Sequence, residues 1–226
     1  MAGGGGDYPG RVFLGIDTSL GTSVAVVEDD GVIVAEASSE NPLGHAEVIG
    51  DLLARVVAEA SAPLTHVAAG MGPGPFTGLR VGIAAARAFA LGRGLPVVPV
   101  ASHDAVALGI LLRRALVDGL DAESARFAVV TDARRREFAY SVYDGLDDDG
   151  LPVRSVGPTL VPRDDLDRVL AELDVARVDA ASVPAAMVAL VGARSLAAGR
   201  EVAGAEPLYL RAPDVTVGGA RKRVGS

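Results

Sequence analysis

The sequence predicts an α/β protein in which helices pack on a mixed β-sheet. Half of the 226 residues are hydrophobic and the mean hydropathy is +0.34, which is enough apolar material for a substantial core. Three apolar strand patterns separated by tight turns open the chain, and helical patterns then alternate with short strands. This order is typical of helices layered on a sheet.

The first half of the chain predicts an antiparallel meander followed by three helices. The predicted strands are 11–16, 22–28 and 32–37, then a helix 45–60, a strand 67–69, a helix 77–92, a strand 96–100 and a helix from Ser102 to 116. Polar turns join the first three strands, whereas Pro42 and Gly44 end the meander before the first helix.

The second half repeats the order of strands before helices. Its predicted elements are strands 127–131, 137–143 and 153–160, a helix from Pro162 to about 173, and an alanine-rich helix over 183–198. We therefore expect four segments: a glycine-rich leader (1–10), an N-terminal lobe (11–110), a smaller C-terminal lobe (111–212) and a tail (213–226).

Composition excludes several classes of chemistry. The formal net charge of −8 disfavours direct binding to nucleic-acid phosphates. The only lysine is Lys222, so the body of the chain has no Schiff-base amine and no phosphate-loop lysine. Cysteine is absent, and His45, His66 and His103 lack the spacing of metal ligands. We therefore expect no metal and no cofactor.

No apolar run is long enough to span a membrane, and the first ten residues lack the basic and apolar regions of a secretory signal. The sequence thus predicts a cytoplasmic protein without membrane contact.

The most distinctive stretch is a glycine-proline loop that leads into the second predicted helix. Its motif residues are Gly72, Pro73, Gly74, Phe76, Thr77 and Gly78. The free N–H groups of a helix start can bind an anion, but this spacing is not that of the phosphate loop GxxxxGK[ST]. The alternative is a tight turn that lets helix and sheet approach closely.

Two polar turns are further candidates for anion binding. Asp17, Thr18 and Ser19 form the first turn, which can hold a magnesium-bound phosphate or serve simply as a β-turn; the turn interpretation is favoured. Arg134 and Arg135 belong to the dense basic cluster 134–136, which can bind a phosphate or an acidic partner, or lie solvated before a strand.

Five stretches together resemble the bacterial TsaB (YeaZ) family. They are 15–19, His45 at the start of the first helix, 72–82, 132–135 and the closing 207–211. The resemblance spans most of the chain after the leader. Pro75 departs from the family pattern, which usually has serine at this position and thus a hydroxyl that this chain lacks.

The resemblance implies an actin-like/Hsp70-like ATPase (ASKHA) fold with two related lobes and a degenerate nucleotide site, in which the turn Asp17 to Ser19 is a vestigial phosphate turn. It also implies a function. The chain would be the non-catalytic scaffold for the threonylcarbamoyl transfer that forms threonylcarbamoyladenosine next to the anticodon of transfer RNAs that read codons beginning with A. A TsaD homologue would carry the chemistry, a TsaE homologue would join the complex, and transfer RNA would be contacted only through it.

The resemblance further implies that the first two helices contact TsaD. The expected interface residues are His45, Ile49, Leu52, Leu53, Val56, Thr77, Arg80, Val81, Ala84 and Ala88. The same helices would support a homodimer when TsaD is absent, because their apolar residues would otherwise face water.

Two other functions remain as alternatives. One is a peptidase of the glycoprotease-like class, against which the absence of HxxxH, GxSxG and cysteine counts. The other is an active ATPase or sugar kinase of the same fold. It would need a complete second lobe, for which 226 residues are short.

Overall fold

The computed structural model describes residues 10–41, 44–118 and 126–211. The predicted tail and nearly all of the predicted leader lie outside the described residues. In chain order the elements are β1 (Val12–Asp17), β2 (Thr22–Glu28), β3 (Ile33–Ser39), α1 (His45–Ala58), β4 (His66–Gly70), α2 (Phe76–Arg93), β5 (Val97–Val100), α3 (Ser102–Asp118), β6 (Phe127–Ala133), β7 (Glu137–Leu146), β8 (Pro152–Pro162), α4 (Leu166–Glu172), β9 (Ala176–Asp179) and α5 (Ala185–Ala197). The predicted α/β class is confirmed.

The first sheet has the strand order β3-β2-β1-β4-β5. Strands β1, β2 and β3 pair antiparallel, which confirms the predicted meander, with Ile16 opposite Val24. Strands β4 and β5 continue the sheet in parallel with β1. Parallel pairing requires a crossover connection, and α1 and α2 provide the two crossovers.

Helices cover both faces of this sheet. On one face, Leu14 and Ile16 of β1 pack with α1 and α2, whereas Phe13 points to the other face and packs with α5. Strand β1 is buried along its whole length, as expected of a strand covered on both sides. Gly15 brings α5 especially close, because a Cβ at this position would lie 2.2 Å from the carbonyl oxygen of Ala185.

The second sheet has the order β8-β7-β6-β9. Its strand β6 alternates between two cores: Phe127 and Val129 pack with α3 and α5, and Val130 packs with Leu166 of α4. Strand β9, which pairs in parallel with β6, was not predicted from the sequence. It is a four-residue edge strand that is largely exposed, so it lacks an apolar pattern.

Helix α5 follows the second sheet in sequence but packs against β1, β2 and α3. It therefore joins the two halves through a shared core. The lobe boundaries 11–110 and 111–212 stay a prediction. Within the described residues, no helix combines the length and the apolar character needed to cross a bilayer.

Candidate functional site

The turn after β1 contains a buried cluster of polar side chains. Asp17 accepts hydrogen bonds from the backbone N–H of Ser19 at 2.7 Å and from the hydroxyl of Ser102 at 2.5 Å. The two serine hydroxyls lie 2.7 Å apart, and the N–H of Gly72 donates to Ser102. The predicted phosphate turn is thus bonded to the start of α3 and to the glycine-proline loop.

Burial raises the pKa of Asp17 to about 6 from the ordinary value of 3.8, although the hydrogen bonds from Ser102 and Ser19 oppose the increase. Desolvation dominates because the charged carboxylate loses its water in this site.

This shift predicts an unusual pH dependence of stability. Because Asp17 binds its proton more tightly in the folded chain, its contribution to the free energy of unfolding is largest below pH 4. That contribution falls by about 3 kcal/mol as the pH rises from about 4 through about 6 to 7. Urea unfolding at pH 4 and pH 7 should show that Asp17→Asn gains stability relative to the original chain as the pH rises. Parallel pH profiles of the two chains would contradict this account.

Helix α2 packs its glycine face directly on the same turn. Thr18 donates a 2.7 Å hydrogen bond to the carbonyl of Gly78 and accepts one from the N–H of Gly82. A Cβ at Gly82 would lie 2.2 Å from the Thr18 hydroxyl oxygen, and one at Gly74 would lie 2.9 Å from Cα of Ser19. The glycine-proline loop is therefore a tight turn that lets α2 and the first sheet approach closely, which is the alternative to an anion site. Pro75 precedes the helix without a side-chain cap.

The expected interface residues of α1 are mostly interior, which corrects the sequence analysis. His45 is buried and shares a 2.8 Å hydrogen bond with Thr22. Ile49, Leu52 and Val56 are buried in the core between α1 and the first sheet. Only Leu53 is half-buried at the edge of this core. These side chains stabilise the fold, because the helical stripe that they form faces the sheet.

The outer face of α2 is exposed. Thr77, Arg80, Ala84 and Ala88 are exposed, and Val81 is half-buried beside them. Leu91 continues the same face and is 85% exposed. Leu91 was not among the predicted interface residues, although its spacing of seven residues from Ala84 places it on that helical face.

Three successive residues at the start of α3 form a second polar cluster that the sequence analysis missed. Ser102 bonds to Asp17, whereas His103 is fully buried between Ser141 at 2.9 Å and Thr131 at 3.0 Å. Burial lowers the pKa of His103 to about 3, so the imidazole is neutral. Asp104 accepts a 2.7 Å hydrogen bond from the hydroxyl of Tyr143 and lies 3.3 Å from Arg154. The start of α3 therefore ties the first sheet to the second.

A cavity of about 500 Å³ lies where the glycine-proline loop meets the turn between β6 and β7. It brings together three of the sequence motifs. Its wall includes the glycine-proline loop (the motif loop, 72–78), the basic cluster with Arg134 and Arg135, and the closing segment 209–211.

The closing segment crosses from α2 to the second sheet and forms one side of this cavity. The N–H of Leu208 donates to the carbonyl of Met71, and the rings of Phe76 and Tyr209 lie 4.8 Å apart. Arg80 sits 4.2 Å above the Phe76 ring, and Arg211 forms an ion pair with Glu137. Among the described ranges, no three histidine, cysteine or acidic residues are grouped as metal ligands would be.

Comparisons with known proteins show which family and which solved structures this chain is similar to. The sequence model of a family described as "TsaD: tRNA N6-adenosine threonylcarbamoyltransferase" matches residues 23–152. Uncharacterized proteins of Mycobacterium tuberculosis and Mycobacterium bovis are each 36% identical over 160 residues. These alignments cover 68% of this chain and 66% of the length of the relatives.

A tRNA N6-adenosine threonylcarbamoyltransferase of Streptococcus suis is 38% identical over 109 residues, covering 40% of this chain and 32% of that protein. Two solved structures from Pseudomonas aeruginosa share the fold: one described as similar to peptidase YEAZ, with a TM-score of 0.69 and 23% identity, and one of YeaZ, with 0.66 and 22%. They cover 89% and 88% of this chain, and both are covered completely.

Proposed function

Because this chain belongs to the family described as TsaD: tRNA N6-adenosine threonylcarbamoyltransferase, we propose that it is a non-catalytic scaffold subunit for the formation of threonylcarbamoyladenosine in transfer RNA. It acts in the cytoplasm by binding a TsaD homologue, and the pair then binds a TsaE homologue. The expected likeness to TsaB (YeaZ) is confirmed at the level of the fold, which is actin-like.

The observation that carries the proposal is the exposed face of α2. Thr77, Ala84, Ala88 and Leu91 lie on one side of this helix, and the opposite side is buried on the first sheet. Alanine side chains let a partner helix approach closely, and burial of Leu91 removes a large apolar surface from water. Arg80 and Arg87 flank this surface and supply polar contacts at its rim.

The side chains that could act in catalysis are instead hydrogen-bonded within the chain, which supports a non-catalytic role. Thr18 is bonded to the backbone of α2, and Asp17 and Ser19 are bonded to Ser102. His103 uses both ring nitrogens within the chain. These buried groups bond the turn after β1 to α2 and α3, and bond α3 to the second sheet, so the polar contacts that a substrate would need are occupied by the chain itself.

The net charge of −8 supports the remaining part of the proposal. A strongly acidic chain repels the phosphates of transfer RNA, so the positive surface for transfer RNA has to come from the other subunits.

A charge placed on the α2 face tests the proposed partner surface. Ala84→Glu should weaken binding to the TsaD homologue of the same organism by about 100-fold, because the longer side chain would keep a partner helix away from the alanine surface and its carboxylate would lose water in the interface. Isothermal titration calorimetry with the two purified chains measures this change. Ala84 is exposed, so the variant should keep its circular dichroism spectrum and its urea midpoint.

Ala171→Glu is the matched control, since it makes the same change at an exposed position of α4 on the second sheet. Its affinity for the TsaD homologue should equal that of the original chain. If Ala84→Glu and Ala171→Glu bound the TsaD homologue with equal affinity, α2 would not be part of the interface.

A further inference from the structure

The cavity between the motif loop and the β6–β7 turn has a positively charged side, although the whole chain is acidic. Arg134, Arg135 and Arg211 line it, together with the carboxylates of Asp132 and Glu137. Arg163 reaches the same turn and forms an ion pair with Asp132. The lining thus has three arginines and two carboxylates, a net formal charge of +1, and Arg163 adds one positive charge beside the lining, on a chain of net charge −8.

The opposite side of the cavity is apolar and is built from rigid parts. Pro73 and Pro75 of the motif loop, the ring of Phe76 and the ring of Tyr209 form this side. The Phe76 ring contacts the ring of Tyr209, at 4.8 Å, and the guanidinium of Arg80, at 4.2 Å. Proline rings and a fixed aromatic pair need little reordering when a flat molecule binds against them.

Both ends of the closing segment are fixed, so the cavity is largely preformed. Leu208 is hydrogen-bonded to Met71 at the end of β4, and Arg211 is paired with Glu137 of β7. Arg87 of α2 also donates to the carbonyl of Ala205 at 2.5 Å. A volume of about 500 Å³ is within the range of small-molecule sites.

We propose that this cavity binds a phosphate monoester that carries a planar apolar group, with Arg134 and Arg135 contacting the phosphate and the Phe76–Tyr209 side contacting the planar group. A phosphate monoester carries a charge of about −1.5 to −2 at neutral pH, which matches the local positive charge. Arginine forms paired hydrogen bonds with phosphate oxygens. The cavity adjoins the proposed partner surface through Thr77 and Arg80, but binding of a small molecule to it is tested on the purified chain alone.

Phenyl phosphate is the probe, because it combines the two groups in a small molecule. Isothermal titration calorimetry at low salt should give a Kd of about 1 mM or tighter. Inorganic phosphate lacks the ring and phenol lacks the charge, so each should bind at least about tenfold more weakly. Benzoate distinguishes a carboxylate from a phosphate and should also bind more weakly, since it carries one charge and two oxygens.

The double variant Arg134→Gln and Arg135→Gln should weaken phenyl phosphate binding by about tenfold or more, since charge-assisted hydrogen bonds are lost. The matched control is Arg55→Gln with Arg93→Gln, which removes the same charge from exposed positions on α1 and α2 outside the cavity. Tyr209→Ala should weaken binding of phenyl phosphate and leave binding of inorganic phosphate unchanged.

The proposal is overturned if no binding is detected at a phenyl phosphate concentration of ten times the expected Kd, on the order of 10 mM. It is also overturned if the cavity variant and the control variant bind phenyl phosphate equally. Benzoate binding as tight as that of phenyl phosphate would overturn the assignment of a phosphate. If inorganic phosphate bound as tightly as phenyl phosphate, the apolar side of the cavity would have no role in binding.

Discussion

Ile49→Asp is expected to unfold the chain or lower its free energy of unfolding by about 4 kcal/mol. Ile49 is 8% exposed and belongs to the core between α1 and the first sheet, where Leu52 and Val24 also lie. The substitution removes apolar contacts and places a carboxylate where the core offers no partner charge. Urea unfolding followed by circular dichroism measures the loss.

The conservative variant Ile49→Val should cost only about 1 kcal/mol, because it removes a single methylene from the same site. Comparison with Ala84→Glu distinguishes the roles of the two helices. A charge at position 49 of α1 should lower the free energy of unfolding, whereas a charge at position 84 of α2 should lower the affinity for the partner. A fully stable Ile49→Asp chain would mean that α1 does not pack on the sheet through this side.

Gly82→Ala is expected to lower the free energy of unfolding by about 3 kcal/mol. The added Cβ would lie 2.2 Å from the hydroxyl oxygen of Thr18 and 3.0 Å from its Cβ. Thr18 is buried and hydrogen-bonded to α2, so it has little room to move. The methyl group would therefore force α2 away from the turn after β1.

Gly92→Ala is the matched control in the same helix. A Cβ at Gly92 meets no atom within 4 Å, so alanine should stabilise the helix by about 1 kcal/mol through its higher helix propensity. Thr18→Ala should recover part of the stability lost in Gly82→Ala, because the closest clash is with the threonine hydroxyl. Equal effects of alanine at positions 82 and 92 would contradict the close packing of α2 on this turn.

Most of the architecture was predictable because strong local patterns specify it. The three opening strands, α1 and α5 show clear apolar periodicity, and their observed bounds differ from the predicted ones by one or two residues at most ends. Strand β9 lacks such a pattern, since it is short and exposed. Sequence also gives no sign that α5 covers the first sheet, because that placement depends on tertiary contacts with Gly15 and Phe13.

The candidate site was predictable only in part. The glycine-proline loop and the basic turn were found from composition, and the structure brings both to one cavity. The buried face of α1 was mistaken for a partner surface because an apolar stripe alone does not show whether a sheet or another protein covers it. Ser102, His103 and Asp104 were missed as a group because their partners lie far apart in sequence.

The central claim is that this chain is a scaffold that binds a TsaD homologue. Light scattering on the chain co-purified with the TsaD homologue of its own organism tests this claim most directly. We expect one species with the summed mass of one copy of each chain. Separate elution of the two proteins, each at its own mass and across a range of protein concentrations, would contradict it.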